Sequence, residues 1–277
     1  FGDTQITSWA MEKLQGGLGD KKPFFLGVGY YRPHIPLFAP QKYFNRFKGS
    51  PGKLPFVVTD DLKDVGPIAS KWARDPVTAG SHETVLKHRQ WRAAVEAYLA
   101  CTTYVDHEIG RLLNALDKSN AADDTWIFIW SDHGWHLGEK EHWGKWTGWE
   151  RSTKVPLIVV PPKRLAKQFA PAGSRCDQPV GLIDLFPTLS NVCGLSAPEN
   201  LDGKSLLPLL LDPAKQTDRV IITTFGKGNF SLRNIRWRYL SYANGEEELY
   251  DLKNDPNEWA NLSGDPRFTK VKKRLLQ

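Results

Sequence analysis

Asp132 and His133 stand side by side in the stretch Ser131-Asp132-His133-Gly134, and Lys145 follows in the next loop. A carboxylate oxygen and an imidazole nitrogen can converge on one ion at a strand-to-loop bend. An oxygen-rich site suits calcium or magnesium, and added imidazoles favour zinc or manganese. A lysine near a dication faces an anion that the metal also binds, such as phosphate or sulfate. His34 lies earlier, in Arg32-Pro33-His34-Ile35-Pro36. Prolines on both sides fix an extended backbone and remove main-chain donors. A histidine held this way, just past the end of a strand, is pre-aimed; the plain alternative is a rigid exit loop with an incidental histidine.

These residues need elements to hold them, and the stretch Trp126 to Pro162 organises the chain. Its opening run, Trp126-Ile127-Phe128-Ile129-Trp130, reads as a buried strand, and Val155 to Val160 reads as a second. Ligands in open α/β sheets sit beyond the carboxyl edge of such strands. Pro23 to Tyr30 reads as a third buried strand, placed so that His34, Asp132 and Lys145 would meet at one crevice. Ile6, Trp9, Ala10 and Leu14 predict an amphipathic helix ended by Gly16-Gly17. Val95, Thr102, Ile109 and Leu116, interleaved with Tyr98, Val105 and Leu112, predict one long helix from about His88 to Lys118. Glu108 falls off that stripe. Residues 40 to 80, rich in Pro, Gly, Lys and Asp, read as a long surface excursion. Pro179 to Leu189 reads as a strand or turn entering a helix that ends at Gly194, and four short strands after Arg219 predict a small antiparallel sheet before a closing basic helix.

Composition sets the outer bounds. The 277 residues can bury a sizeable core, with 40% hydrophobic and 25% charged residues. No run approaches the ~18 apolar residues of a membrane helix. The net charge of +6 comes from dispersed basic residues, densest only at Lys270 to Arg274. That pattern is compatible with anionic substrates and predicts neither a nucleic-acid nor a membrane partner. Cys101, Cys176 and Cys193 form no metal spacing, and Cys101 falls among core positions of the long helix. Asn229-Phe230-Ser231 and Asn261-Leu262-Ser263 fit the glycosylation pattern, a match short enough to arise by chance.

The combination of Gly29-Tyr30-Tyr31-Arg32-Pro33-His34-Ile35-Pro36, Ser131-Asp132-His133-Gly134-Trp135-His136-Leu137-Gly138-Glu139, Lys145 and Val155-Pro156-Leu157-Ile158 resembles the sulfatase family, closest to its iduronate-2-sulfatase-like members. Leu182-Ile183-Asp184-Leu185-Phe186-Pro187-Thr188-Leu189, Gly203-Lys204-Ser205-Leu206 and Glu248-Leu249-Tyr250-Asp251-Leu252 extend the likeness in the right order. The resemblance implies an α/β fold: a partial alkaline-phosphatase-like α/β/α sandwich over residues 1–215 and a small antiparallel subdomain over 216–277. It implies hydrolysis of a sulfate ester, on a sulfated sugar or related small molecule, by a formylglycine nucleophile. Asp132 corresponds to a calcium ligand, with His133 beside it at the metal and nucleophile. Lys145 corresponds to the lysine that binds the sulfate group. His34 corresponds to a histidine near the ester oxygen, a candidate proton donor to the leaving alcohol. Magnesium and zinc are the alternative metals, and the family's compartments are periplasmic, secreted or lysosomal.

The departure from the family pattern is equally specific. No cysteine here begins C-x-P-x-R: Cys101 precedes Thr102-Thr103-Tyr104, Cys176 precedes Asp177-Gln178-Pro179, and Cys193 precedes Gly194-Leu195-Ser196. The family's N-terminal aspartate pair, which completes the calcium site, has no counterpart. The expectation is a C-terminal part of a sulfatase, inactive alone and complemented by an N-terminal segment that brings the nucleophile. Such a sandwich would leave sheet edge and apolar surface uncovered. Two other readings share the motifs. One is a phosphodiesterase or phosphatase of the same superfamily, recruiting His136 and His142 to two zinc ions, although the loop has no H-x-x-x-H spacing. The other is a non-catalytic binder of sulfated glycans, stacking sugar rings on Trp135, Trp143, Trp146 or Trp149.

Overall fold

The structure, a computed structural model, describes residues 1–48, 52–75 and 80–277. In chain order the helices are α1 (Gly2–Gln15), α2 (Gln41–Phe44), α3 (Pro67–Arg74), α4 (His82–Lys87), α5 (Trp91–Asp117), α6 (Glu150–Thr153), α7 (Leu185–Val192), α8 (Leu207–Leu211) and α9 (Thr269–Leu275). The strands are β1 (Ile127–Trp130), β2 (His136–Leu137), β3 (Trp143–Gly144), β4 (Leu157–Val160), β5 (Ile221–Thr224), β6 (Phe230–Arg233), β7 (Trp237–Ser241) and β8 (Glu247–Asp251). They divide into two compact units, one of Phe1–Phe56, Ala79–Ile127 and Val160–Leu165, the other of Val57–Thr78, Phe128–Val159 and Ala166–Gln277. No helix among the described residues is long and apolar enough to cross a membrane.

The first unit is helical. Helix α1 forms where predicted, but its buried stripe is Asp3, Thr7, Ala10 and Leu14, and Trp9 faces outward. Polar Asp3 and Thr7 are tolerated inside because hydrogen bonds satisfy them: Asp3 accepts from the Tyr31 and Arg32 amides, and Thr7 Oγ1 donates to the Asp3 carbonyl at 3.0 Å. Helix α5 also forms, and it packs along α1 and α2. Its buried face runs through Val95, Ala100, Cys101, Tyr104, Glu108, Ala115 and Leu116, so Thr102 is exposed and Glu108, expected off the stripe, is inside. The reason is again polar pairing. Glu108 accepts from Thr4 Oγ1 at 3.0 Å and from Arg111 Nη1 at 2.6 Å, which removes the cost of an unpaired buried charge. Small residues at 100 and 101 let neighbouring side chains approach, and Tyr43, Ala100 and Tyr104 form one core cluster. Leu14, Ala115, Leu116 and Ala121, with Phe24 and Ile127 against them, form the other. Residues 23–30, expected as a buried strand, form no β-ladder among the described residues. Their side chains alternate between partial cover and exposure, and Phe25 is 81% exposed.

The second unit holds the sheets. Strands β1 and β4 pair, but both are only half-buried where full burial was expected, and Ile158 stands 52% exposed. Strands β5 to β8 form the predicted antiparallel meander in sequential order. Alternation along its strands loads both faces. Leu232, Tyr239 and Leu249 pack under Leu275 and Val271 of α9. Leu240, Tyr242 and Tyr250 pack with Trp149, Phe225, Leu62, Ala69 and Ala73. Part of the supposed surface excursion is therefore core: residues 57–75 bring Leu62 and α3 into this cluster, because their apolar residues follow no single long period. Residues 49–51 and 76–79 of that stretch lie outside the described residues.

Two motifs prove architectural. Asp184 is buried, accepts from Gly181 N and Lys204 N at 2.8 Å each, and pairs with Arg219. A Cβ on Gly203 would sit 2.1 Å from the Ile183 carbonyl, so only glycine lets the two segments touch. Both glycosylation-like asparagines are committed internally. Asn229 accepts from Ala243 N at 3.0 Å, and Asn261 accepts from Leu249 N at 3.1 Å while donating to Asp64 O at 2.9 Å. Cys101 is buried, and burial pushes its thiol up to about 11, which leaves it a core residue.

Candidate active site

Strand β1 delivers its last residues into the turn Ser131-Asp132-His133-Gly134. The turn is held by Gly134 N donating to Ser152 O at 2.8 Å, which lays it against α6. A Cβ on residue 134 would lie 2.0 Å from the Arg151 carbonyl oxygen, so this approach requires glycine. Ser131 Oγ donates to the His133 carbonyl at 3.0 Å and tightens the bend. His133 Nδ1 lies 2.8 Å from the Gly134 carbonyl. A carbonyl only accepts, so Nδ1 carries the hydrogen and Nε2 keeps its lone pair. That Nε2 is 2.8 Å from Lys145 Nζ and 3.4 Å from Asp132 Oδ2. Asp132, His133 and Lys145 therefore converge as expected, with Asp132 largely in solvent and His133 half-covered.

Lys145 reaches that point from a rigid loop. Strands β2 and β3 pair with His136 opposite Gly144 and Leu137 opposite Trp143. Lys140, between them, adopts φ 56° and buries its ammonium 2.9 Å from Asp61 Oδ1 and 4.9 Å above the Tyr250 ring. His142 is buried with Nδ1 2.7 Å from the Ala73 carbonyl and Nε2 2.8 Å from the carbonyl of Lys145 itself. Burial lowers the His142 pKa while the two carbonyls oppose the shift. His136 is fully buried, with Nδ1 3.1 Å from Ser152 Oγ, and burial followed by the neighbouring His142 holds it well below the ordinary histidine range.

Beyond Lys145 the loop is tied to the meander. Trp149 Nε1 donates to Glu248 at 2.7 Å, and Glu248 also accepts from Tyr242 and Tyr250. Arg238 donates to Gly148 O at 2.9 Å, pairs with Glu150, and lies 2.8 Å from Glu258. Burial pushes Glu258 up to about 7. Of these supporting residues, Asp61, Lys140, Arg238 and Glu258 were not singled out in the sequence, and Glu248 was named only within the Glu248-Leu249-Tyr250-Asp251-Leu252 match. Each ties to the loop through a partner far along the chain, so no local spacing signals that role. Of the four loop tryptophans, Trp143 and Trp149 are interior, while Trp146 is 56% exposed beside Lys145, whose Nζ is 5.6 Å from its ring.

His34 belongs to the other unit. Its loop folds as a turn with both X-Pro bonds cis, where an extended backbone was expected. His34 N donates to Tyr31 O at 2.9 Å, and Nδ1 lies 2.7 Å from the Ile35 carbonyl, which leaves Nε2 as the outward nitrogen.

A metal at Asp132 and His133 would find few donors in this chain. Among the described residues no group of three or more His, Cys, Asp or Glu side chains gathers as a metal site. Calcium takes about 6–8 oxygen ligands. One carboxylate with one imidazole cannot complete that sphere, so these residues by themselves do not make the metal site that the family resemblance implies. His136 and His142 do not extend it either: one is sealed in the interior, and both nitrogens of the other face carbonyls.

A fold with an α/β part and a C-terminal meander, and a strand-end Asp-His pair met by a lysine, define a class that the chain's relatives specify. Residues 3–195 match the sulfatase family model, and residues 138–277 match the model of the N-sulphoglucosamine sulphohydrolase C-terminal region. The chain belongs to the sulfatase family. It is 38% identical over 266 residues to a sulfatase of Formosa agariphila, covering 96% of this chain and 51% of that protein. It is 31% identical to human iduronate 2-sulfatase over 71% of this chain and 40% of that enzyme. The chain thus spans about half the length of the curated relatives it matches. The phosphonate monoester hydrolase of Agrobacterium radiobacter superposes with a TM-score of 0.80 at 25% identity, over 98% of this chain and 60% of that one. A protein solved with its substrate D-glucosamine-2-N,6-O-disulfate superposes with a TM-score of 0.80 at 22% identity, over 100% and 68% of the two chains. The fold class is accordingly the alkaline-phosphatase-like α/β fold with a small antiparallel sheet at the C-terminus.

Proposed function

We propose that this chain is the C-terminal part of a sulfuric ester hydrolase acting on a sulfated sugar or a related sulfate ester. Residues 1–215 are read as the remainder of its catalytic domain and 216–277 as its subdomain. The observation that carries the reading is the meeting of Asp132, His133 and Lys145 in a member of the sulfatase family. The Lys145 ammonium offsets charge on the sulfate oxygens, and its rigid loop keeps it aimed without reorganisation. His34 is the proton donor in this reading, passing a proton from Nε2 to the leaving oxygen as the O–S bond breaks, so that alcohol and not alkoxide departs. Trp146, exposed beside Lys145, offers a ring face to the sugar. A complementary N-terminal segment supplies the formylglycine nucleophile and the remaining ligands of a calcium ion held in part by Asp132, with His133 adjacent.

The test is turnover of a chromogenic aryl sulfate by this chain alone and by the full-length protein. The chain alone should be inactive and the full-length protein active, with Lys145→Ala weakening KM and kcat together. Turnover by the chain alone would place the nucleophile inside these residues and sink the reading. The likeness to a phosphonate monoester hydrolase keeps a second reading, hydrolysis of phosphonate or phosphate esters. A full-length protein that cleaves a phenyl phosphonate faster than the aryl sulfate would establish it.

A further inference from the structure

We infer that Asp3 is a positioning residue for His34, and the inference rests on the role of His34 proposed above. Asp3 sits in the first turn of α1 and is 3% exposed, an unusual place for a carboxylate. Its Oδ1 accepts from Tyr31 N at 2.9 Å and its Oδ2 from Arg32 N at 3.1 Å. Both carboxylate oxygens are thus spent on the two backbone donors that enter the Pro33-His34 turn. A buried carboxylate gripping two successive amides is a charge-assisted clamp, stronger than neutral pairs.

The clamp continues through Arg32. Its Nη1 donates to His34 O at 2.6 Å and to Pro36 O at 2.5 Å, so one guanidinium closes the turn from the other side. Tyr31 flanks the imidazole, its ring centroid 4.7 Å from that of His34, and its hydroxyl donates to Ile35 O at 2.9 Å. That same Ile35 carbonyl faces His34 Nδ1. The carbonyl that fixes the tautomer of His34 is therefore held by a residue whose own amide Asp3 holds. No substrate contact by Asp3 is required. Its action is to keep Nε2 as the outward nitrogen and the ring in one orientation.

Kinetics of the full-length protein on aryl sulfates of graded leaving-group acidity test the inference, together with ring nitrogen spectra of the 277-residue chain. His34→Ala should slow phenyl sulfate by about 100-fold relative to 4-nitrophenyl sulfate, since a good leaving group needs no proton. Asp3→Ala should show the same bias at about tenfold, Asp3→Asn a smaller one, and the double variant should be no slower than His34→Ala alone. Asp3→Asn, which keeps the shape and one acceptor, should move the His34 ring signals of the chain from a single Nδ1–H tautomer to a mixture, with His34→Gln identifying them. Equal loss on both substrates, or unchanged His34 signals in Asp3→Asn, would overturn the inference and leave Asp3 a helix anchor. If His34→Ala itself shows no leaving-group bias, the acid role of His34 fails instead, and the ring spectra still decide whether Asp3 orients it.

Discussion

Replacing Lys140 by Met tests whether the Lys145 loop is held by a buried ion pair. Lys140 and Asp61 have side chains only 2% and 3% exposed and approach to 2.9 Å. At that separation the gross attraction is roughly 6 kcal/mol for an effective dielectric constant of about 20. Desolvation costs several kcal/mol per ion, so the intact pair nearly breaks even, whereas removing one partner costs about 3–5 kcal/mol. Lys140→Met should therefore destabilise the chain by about that much near neutral pH. The pH dependence has a definite sign. Burial raises the Asp61 pKa, and Lys140 is the main opposing influence. Without Lys140 the folded pKa rises further above the unfolded value, so the folded variant binds the proton more tightly than its unfolded chain. The deficit should be smallest at acid pH, where Asp61 is protonated in both states, and grow as pH rises above the ordinary carboxylate range. Urea melts of the wild type, Lys140→Met and the Asp61→Leu/Lys140→Met double variant would measure it. The double variant should recover most of the loss, because no charge is left buried alone. A single-variant loss under about 1 kcal/mol, or one that ignores pH, would refute the reasoning.

Three further outcomes are expected. Gly134→Ala should cost about 3 kcal/mol or more, since its methyl meets the Arg151 carbonyl at 2.0 Å; a thermal melt superimposable on the wild type would contradict the close approach. His136 is held well below its ordinary pKa, so the folded chain binds fewer protons than the unfolded one in the window below about 6.5, and stability present above that window falls as pH drops through it. Glu258, raised to about 7, works in the opposite sense between its unfolded and folded values, so the comparison is wild type against His136→Phe, which should lose less stability between about pH 7 and 5.5. Trp146→Ala should leave the melt unchanged and raise KM for a sulfated sugar more than for a small aryl sulfate, by about tenfold if the ring stacks on sugar.

The meeting of Asp132, His133 and Lys145 was legible because it is carried by residue types in short spans. Ser131-Asp132-His133-Gly134 and Lys145 were read as side chains that gather beyond a strand end, and the structure brings them together. The meander was legible for a related reason: four short strands between turns are set by local alternation. What failed depended on partners. The run at 23–30 has strand composition, but a strand is a relation between two segments, and the described residues supply no ladder for it. The seven-residue spacing in α5 located the helix yet misjudged its buried face, because Glu108 enters the interior on hydrogen bonds from Thr4 and Arg111 that no single-helix pattern contains.

The same distinction explains how Lys145, the proposed sulfate-binding lysine, is held. A lysine carries a flexible four-carbon stem, so an anion site built on one depends on how firmly its backbone is fixed. Here the carbonyl of Lys145 faces His142, whose other nitrogen faces α3, and the turn before it is closed by Lys140 on Asp61. The segment after it is gripped by Glu248 through Trp149 and by Arg238 through Gly148 and Glu150. Every one of these anchors is a polar group inside the fold, where an unmatched partner is expensive. Substitution at an anchor should therefore be felt first as lost stability and only then as lost sulfate affinity, whereas Lys145→Ala should remove affinity at nearly unchanged stability. Measuring both quantities for Lys140, His142 and Lys145 variants orders the loop into support and contact. Finding that Lys140→Met keeps wild-type stability yet abolishes sulfate binding would reverse that order and make Lys140 part of the anion site.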